Sequence, residues 1–300
     1  MSTVLPEQAG FLESRDSIPL AEALLRWRQE ARVGIFHTGR YRCRFFVWGH
    51  GQPVVFIHGI SDQARCFVPL MAYLTDRFQC IAYELPTGTG DGANLSRTSH
   101  TDFVADLFAL LDHLRSGQVG LYGASFGSTI ALAALHVQPR RFLRAVLQSG
   151  FAHLKIAPAE WMLARWMQRS RKRIRDLPLR EWWQRRHDAP FFVGVPPELW
   201  DFQCANCGEA PVRAMAHRAW ILAHLDLRPF LPEIRHPILL IRGDRDNVIN
   251  AAAAEELALR LPQADRLEFS DCGHCMQYTH AAGVAEALRR FLLPPCGLMG

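Results

Sequence analysis

A serine sits between two glycines in Gly123-Ala124-Ser125-Phe126-Gly127, with the apolar run "QVGLYGA" before it and the small-residue run "GSTIALAALH" after it. A hydroxyl placed this way can act as a nucleophile when a buried strand runs into a sharp turn and then a helix. The turn lifts the serine oxygen over the sheet, and the small flanking residues let the backbone pack closely. Gly-x-Ser-x-Gly alone is weak, because serine between glycines is common in loops; the strand before it and the helix after it give the motif its weight. A second chemistry to weigh is metal binding. Cys204/Cys207 and Cys272/Cys275 form two Cys-x-x-Cys pairs whose four thiolates could hold zinc. The second pair brackets His274, and eight cysteines in a chain without a secretory leader read as reduced thiols. The expectation is loop cysteines with no metal and no cofactor.

The elements that must position Ser125 follow from hydrophobic periodicity. After an amphipathic helix over 20–31, "VGIFHTG" and "YRCRFFVWG" alternate as paired strands, and "PVVFIHG" is a continuous apolar run of the kind buried on both faces. Helical periodicity over 63–74, strand "CIAYEL", helix 102–114, strand "VGLYGA", helix 127–137 and strand "RAVLQSG" then alternate. The alternation resumes at "HPILLIRGDRD", with helix 251–261, strand "DRLEFS" and helix 281–293. Such a pattern predicts an α/β fold, a mostly parallel sheet flanked by helices, with ligands bound beyond the carboxyl ends of the strands. Residues 151–228 interrupt it with helices separated by prolines and hold six of the eight tryptophans. We read 1–150 and 229–300 as the core and 151–228 as an inserted helical cap.

With these motifs in place the chain resembles the α/β-hydrolase fold superfamily, in its capped, single-chain esterase, lactonase and C–C hydrolase group. The resemblance implies a set of site residues. One backbone N–H of an oxyanion hole would come from Phe126, next to the nucleophile, and the other from Ile60, after the His-Gly of "VVFIHGISDQ"; His58 would orient that loop. The carboxylate would follow a late strand in a Gly-x-x-Asp pattern, which makes Asp246 the match and Asp244 its competitor. The other acid location of the family, after "AVLQSG", holds Gln148 and Ser149, which cannot serve. The base would be His274 in "LEFSDCGHCMQ", so that Ser125, Asp246 and His274 occur in the order this fold uses. Glu84, Thr87, Thr89 and Ser128 depart from common family residues beside the pocket, and a serine nucleophile argues against dehalogenases and epoxide hydrolases.

The implied function is a serine hydrolase acting through an acyl-enzyme on an apolar ester, lactone or thioester, against C–C hydrolysis or acyl transfer by the same triad, and against a non-catalytic binding member. The net charge of +5 arises within 151–228, where 13 Lys+Arg face 8 Asp+Glu. One basic segment on a neutral body does not describe a nucleic-acid-binding surface. The basic stretch over 158–178 could meet a membrane or an acyl carrier. The sequence reading prefers a cap helix with its apolar face on the core and its arginines in water, and tryptophans that roof the pocket. Without a signal sequence or an apolar run of membrane-spanning length, the expectation is a cytoplasmic protein.

Overall fold

A computed structural model of the chain describes residues 17–293; the N-terminal stretch read for a signal, up to residue 16, and Cys296 lie outside the described residues. Eight strands form one sheet: β1 Arg32–His37, β2 Arg42–Trp48, β3 Gln52–Ile57, β4 Phe78–Tyr83, β5 Val119–Ala124, β6 Phe142–Gln148, β7 Ile238–Gly243 and β8 Ala264–Phe269. Their order is β1-β2-β4-β3-β5-β6-β7-β8. The hairpin β1–β2 and the β2–β4 pair are antiparallel and every later pairing is parallel. β5, entirely buried, pairs with β3 in the register Val54↔Gly120 to Ile57↔Gly123. Because β3 has β4 on one side and β5 on the other, the winding reverses there, and the crevice over the ends of β3 and β5 is where a ligand has room.

The helices behind this crevice follow the predicted positions, at Leu20–Glu30, His100–His113, Phe126–Val137, Ala251–Arg260 and Ala281–Leu292. Residues 63–74 differ from expectation: a 3-10 turn over Ala64–Phe67 is followed by one α-turn, Val68–Met71. Pro69 in the first turn of the α segment has no N–H to give to a helix running through it. All four residues from Val68 to Met71 are buried, so burial rather than helix length supplied the apolar pattern.

Between β6 and β7 the chain is helical, with helices at Pro158–Met167, Arg180–His187, Pro197–Glu209 and Val212–Leu222, two of them starting on proline. The segment leaves and rejoins the sheet at one neck, where the Leu227 N–H donates to the Ala152 carbonyl at 3.0 Å and His153 bridges to Asp226. One expectation is corrected here. In Pro158–Met167 only Ala164 is buried, while Met162, Leu163 and Trp166 are exposed. The opposite face is packed as expected, with Trp161 against Trp220 and Met167 against Ile174 and Val212, so the helix carries a second apolar stripe that faces water, and Trp166 and Trp182 are exposed.

Candidate active site

Ser125 follows directly on β5 with φ 51° and ψ −117°, backbone angles that cost a non-glycine residue on the order of 1–3 kcal/mol. The neighbours over-determine this strain. The Ser125 N–H donates to the Gln148 carbonyl at 2.9 Å, and the Ser125 carbonyl accepts from Ser128 at 2.8 Å as the helix begins. A Cβ on Gly123 would stand 2.7 Å from the Gly127 oxygen, and one on Gly127 would stand 2.1 Å from the Ile57 oxygen. Both glycines are therefore steric requirements of the elbow. Gly127→Ala is expected to destabilise the fold by about 3 kcal/mol or more in urea unfolding, whereas Gly117→Ala, with open space around it, leaves the midpoint near wild type.

The β3 loop runs beside the serine: a Cβ on Gly59 would lie 3.6 Å from the Ser125 Cβ. The N–H of Ile60 has no protein acceptor among the described residues. That of Phe126, the first residue of its helix, lacks a partner one turn earlier. Buried His58 fixes this loop. Its Nδ1–H donates to the Gly59 carbonyl at 2.9 Å and its Nε2 accepts the Leu85 N–H at 3.2 Å, a tautomer assigned from these partners. Burial, with the Arg218 charge, lowers the His58 pKa to about 3, so it stays neutral and spans two loops.

Asp246 follows β7 and His274 follows β8, and the structure joins them: His274 Nδ1 lies 2.9 Å from Oδ2 and 3.1 Å from Oδ1. The N–H groups of Val248 and Ile249 each reach Asp246 Oδ1 at 2.9 Å. Burial opposes ionisation of Asp246, but the His274 charge and these donors outweigh it and hold its pKa at about 2. Asp244 is exposed and accepts the Cys272 N–H at 3.0 Å instead. Ser125, partly exposed, makes no hydrogen bond to His274 among the described residues; contacts of this kind commonly tighten in the substrate complex.

The loop carrying His274 is anchored by residues that sequence reasoning passed over. Gln148, dismissed as an acid, donates to the His274 carbonyl at 3.1 Å and to Gln277 Oε1 at 2.6 Å, while its Oε1 accepts the Tyr122 hydroxyl. Asp62 Oδ1 accepts from Asn206, Tyr278 and the Cys207 thiol at 3.3–3.4 Å, so the β3 loop, the helical insertion and the helix after His274 meet on one carboxylate. Burial raises the Asp62 pKa. Arg218, also buried, reaches from the insertion to the Ile60 carbonyl at 2.8 Å. Phe191 of the insertion packs where a Gly273 side chain would be. The Cys-x-x-Cys thiols have other partners: Cys207 meets Asp62, Cys275 accepts from Gln203 at 3.1 Å, and no group of three metal-ligating side chains occurs among the described residues.

Three carboxylates act on His274. Burial lowers its pKa, yet Asp246 first, then Asp188 and Asp62, raise it above its ordinary value. Asp188 comes from the insertion and is itself pushed up to about 6 by burial. If neutral His274 is the active form, activity appears as pH rises through this elevated pKa. Asp188→Asn removes one negative neighbour and is expected to move the acid limb of kcat/KM to lower pH, read from a pH–rate profile; a limb that does not move would remove Asp188 from the site's electrostatics.

Residues 54–287 match the alpha/beta hydrolase family. The chain belongs to that family. Among its relatives, the poly(3-hydroxyalkanoate) depolymerase of Ectopseudomonas oleovorans is 28% identical over 265 residues, covering 81% of this chain and 85% of that one. The pimeloyl-[acyl-carrier protein] methyl ester esterase of Xanthomonas campestris pv. campestris is 27% identical, covering 82% and 97%. Of solved structures, a hydrolase from Pseudomonas aeruginosa PA01 aligns with a TM-score of 0.76 at 18% identity over 88% and 99% of the two chains. The enol-lactonase of Burkholderia xenovorans LB400 aligns at 0.74 and 19% identity over 84% and 96%. This α/β-hydrolase is thus a hydrolytic enzyme of the fold, and no helix of its described residues is long and apolar enough to cross a membrane.

Proposed function

We propose that the enzyme cleaves a carboxylic ester, lactone or thioester of a small apolar acyl group through an acyl-enzyme. The observation that carries this reading is the strained Ser125 at the end of β5, beside the Ile60 loop, in a fold that also hydrogen-bonds His274 to Asp246. Ser125 Oγ attacks the carbonyl carbon as His274 Nε2 takes its proton. Asp246 holds the imidazole by Nδ1 and stabilises the imidazolium. The amides of Ile60 and Phe126 receive the oxyanion. His274 then returns the proton to the leaving oxygen or sulfur, the acyl-enzyme forms, and water activated by His274 releases the acid and restores Ser125. Residues 151–228 serve as the cap, which meets the catalytic loops through Phe191 and Arg218 and acts on His274 through the charge of Asp188.

The relative named as a methyl ester esterase supports this class of bond. A panel of ester, lactone and thioester substrates with product analysis tests it. Free acid as the product, formed by wild type, is the expected result; transfer of the acyl group to an added alcohol in preference to water, or cleavage of carbon–carbon substrates alone, would replace the reading.

A further inference from the structure

The outer face of the helical insertion is built unlike the rest of the surface. Of fourteen large hydrophobic residues that are exposed among those described, six lie between residues 162 and 193: Met162, Leu163, Trp166, Leu179, Trp182 and Val193. The two exposed tryptophans, 70% and 60% accessible, are both among them. Met162, Leu163 and Trp166 fall within an arc of about 100° on their helix, so they form a stripe rather than a scatter. The packed face of this helix is the opposite one, carrying Trp161, Ala164 and Met167, so this second apolar stripe is left in water.

Cations accompany it. Residues 158–187 contain nine Lys+Arg and three Asp+Glu. Arg169, Arg171, Lys172, Arg185 and Arg186 are exposed, and among the described residues none of them pairs with a carboxylate. Arg173 and Arg175, by contrast, are held by Glu209. Exposed tryptophan, leucine and methionine beside unpaired arginine and lysine are the two components that a negatively charged lipid surface recognises. The apolar groups enter the acyl boundary, tryptophan sits at headgroup depth, and the cations meet phosphate.

We infer that the exposed part of residues 162–186 docks on an anionic lipid bilayer surface, inserting the Met162, Leu163 and Trp166 stripe and Trp182 and placing Arg169, Arg171 and Lys172 on the headgroups. The observations favour lipid over an acidic protein because the exposed apolar groups include two tryptophans, suited to headgroup depth, beside five exposed cations that pair with no carboxylate among the described residues. Docking would set the cap, and the crevice beneath it, against a phase in which apolar acyl substrates dissolve.

The test is co-sedimentation of the full chain with vesicles of phosphatidylcholine, and with vesicles of equal phosphatidylcholine and phosphatidylglycerol. The expected result is binding to the mixed vesicles, weakened by salt, and little binding to phosphatidylcholine alone. Each basic residue near such a surface contributes about 1 kcal/mol, roughly fivefold in partition. The triple variant Arg169→Glu, Arg171→Glu, Lys172→Glu is therefore expected to lose at least about tenfold in binding, and Trp166→Ser with Trp182→Ser to lose a comparable amount. Both variants should keep wild-type turnover of a short soluble ester, which also shows that they fold. Ser125→Ala should bind vesicles like wild type, so this inference and the catalytic proposal fail separately. No binding to the mixed vesicles, binding indifferent to both variants, or light scattering that shows the stripe buried in a dimer would overturn it.

Discussion

Replacing Ser125 by alanine is expected to lower ester turnover by at least about three orders of magnitude and to abolish covalent labelling by a fluorophosphonate, read as a single mass adduct on the intact wild-type protein. The size of the effect follows from the way triad members act as a unit: without the hydroxyl, His274 and Asp246 have no proton to move, and only the oxyanion amides and substrate binding remain. The side chain is dispensable to the fold, because the hydrogen bonds at Ser125 are made by its backbone to Gln148 and Ser128. The variant should thus unfold at nearly the wild-type midpoint. A wild-type protein that is folded, yet neither labelled nor slowed by the substitution, would mean that the elbow holds strain without a nucleophile, and ligand binding would become the function to pursue.

That Ser125 could be singled out in advance has a physical reason. Strands buried on both faces read as continuous apolar runs, and a turn that forbids Cβ atoms must carry glycine, so Gly123, Gly127 and the strand before them leave a local trace. The elements after β7 and β8 are equally local, and Asp246 and His274 stand in the short loops that follow those strands. Asp62 leaves no such trace. Its partners Asn206, Cys207 and Tyr278 lie 144, 145 and 216 residues away, and nothing near position 62 announces them. Arg218 reads as one more cation in a basic segment until the fold buries it against the Ile60 carbonyl. The helix over 158–167 was legible on its packed face alone, for a different reason. Periodicity reports that a stripe is apolar, not what covers it, and the same pattern fits a core-facing helix and one that faces outward. The short 3-10 and α-turns of 64–71 show the same limit, since a fully buried segment satisfies helical spacing without being one long helix.

Asp246→Asn is expected to reduce kcat/KM by at least about three orders of magnitude, and Asp244→Asn to change it by less than about tenfold, measured on the same ester. The two carboxylates are two residues apart on one loop, so the contrast rests on their partners alone. Asp246 is buried, accepts the backbone N–H groups of Val248 and Ile249 through Oδ1, and receives His274 Nδ1. An amide in its place keeps the shape but presents a neutral group, which neither stabilises imidazolium nor enforces the tautomer with Nδ1 protonated. Asp244 is exposed and accepts one N–H, from Cys272, which an asparagine carbonyl oxygen can still do. The pH profile separates a catalytic role from simple loss of order. Asp246 is the foremost of the charges that raise the His274 pKa, so its removal lowers that pKa. The residual activity of Asp246→Asn should then persist to lower pH than that of wild type, further than Asp188→Asn moves it, because Asp246 is in direct contact and Asp188 is not. The same coupling acts on stability. Asp246 is held at about 2, below its ordinary value, so its contribution is present at neutral pH and fades as pH falls from the ordinary carboxylate range through about 2. Acid unfolding of Asp246→Asn should therefore be less steep over that window than unfolding of wild type. A larger loss for Asp244→Asn than for Asp246→Asn would assign the carboxylate to the other residue and with it the orientation of His274.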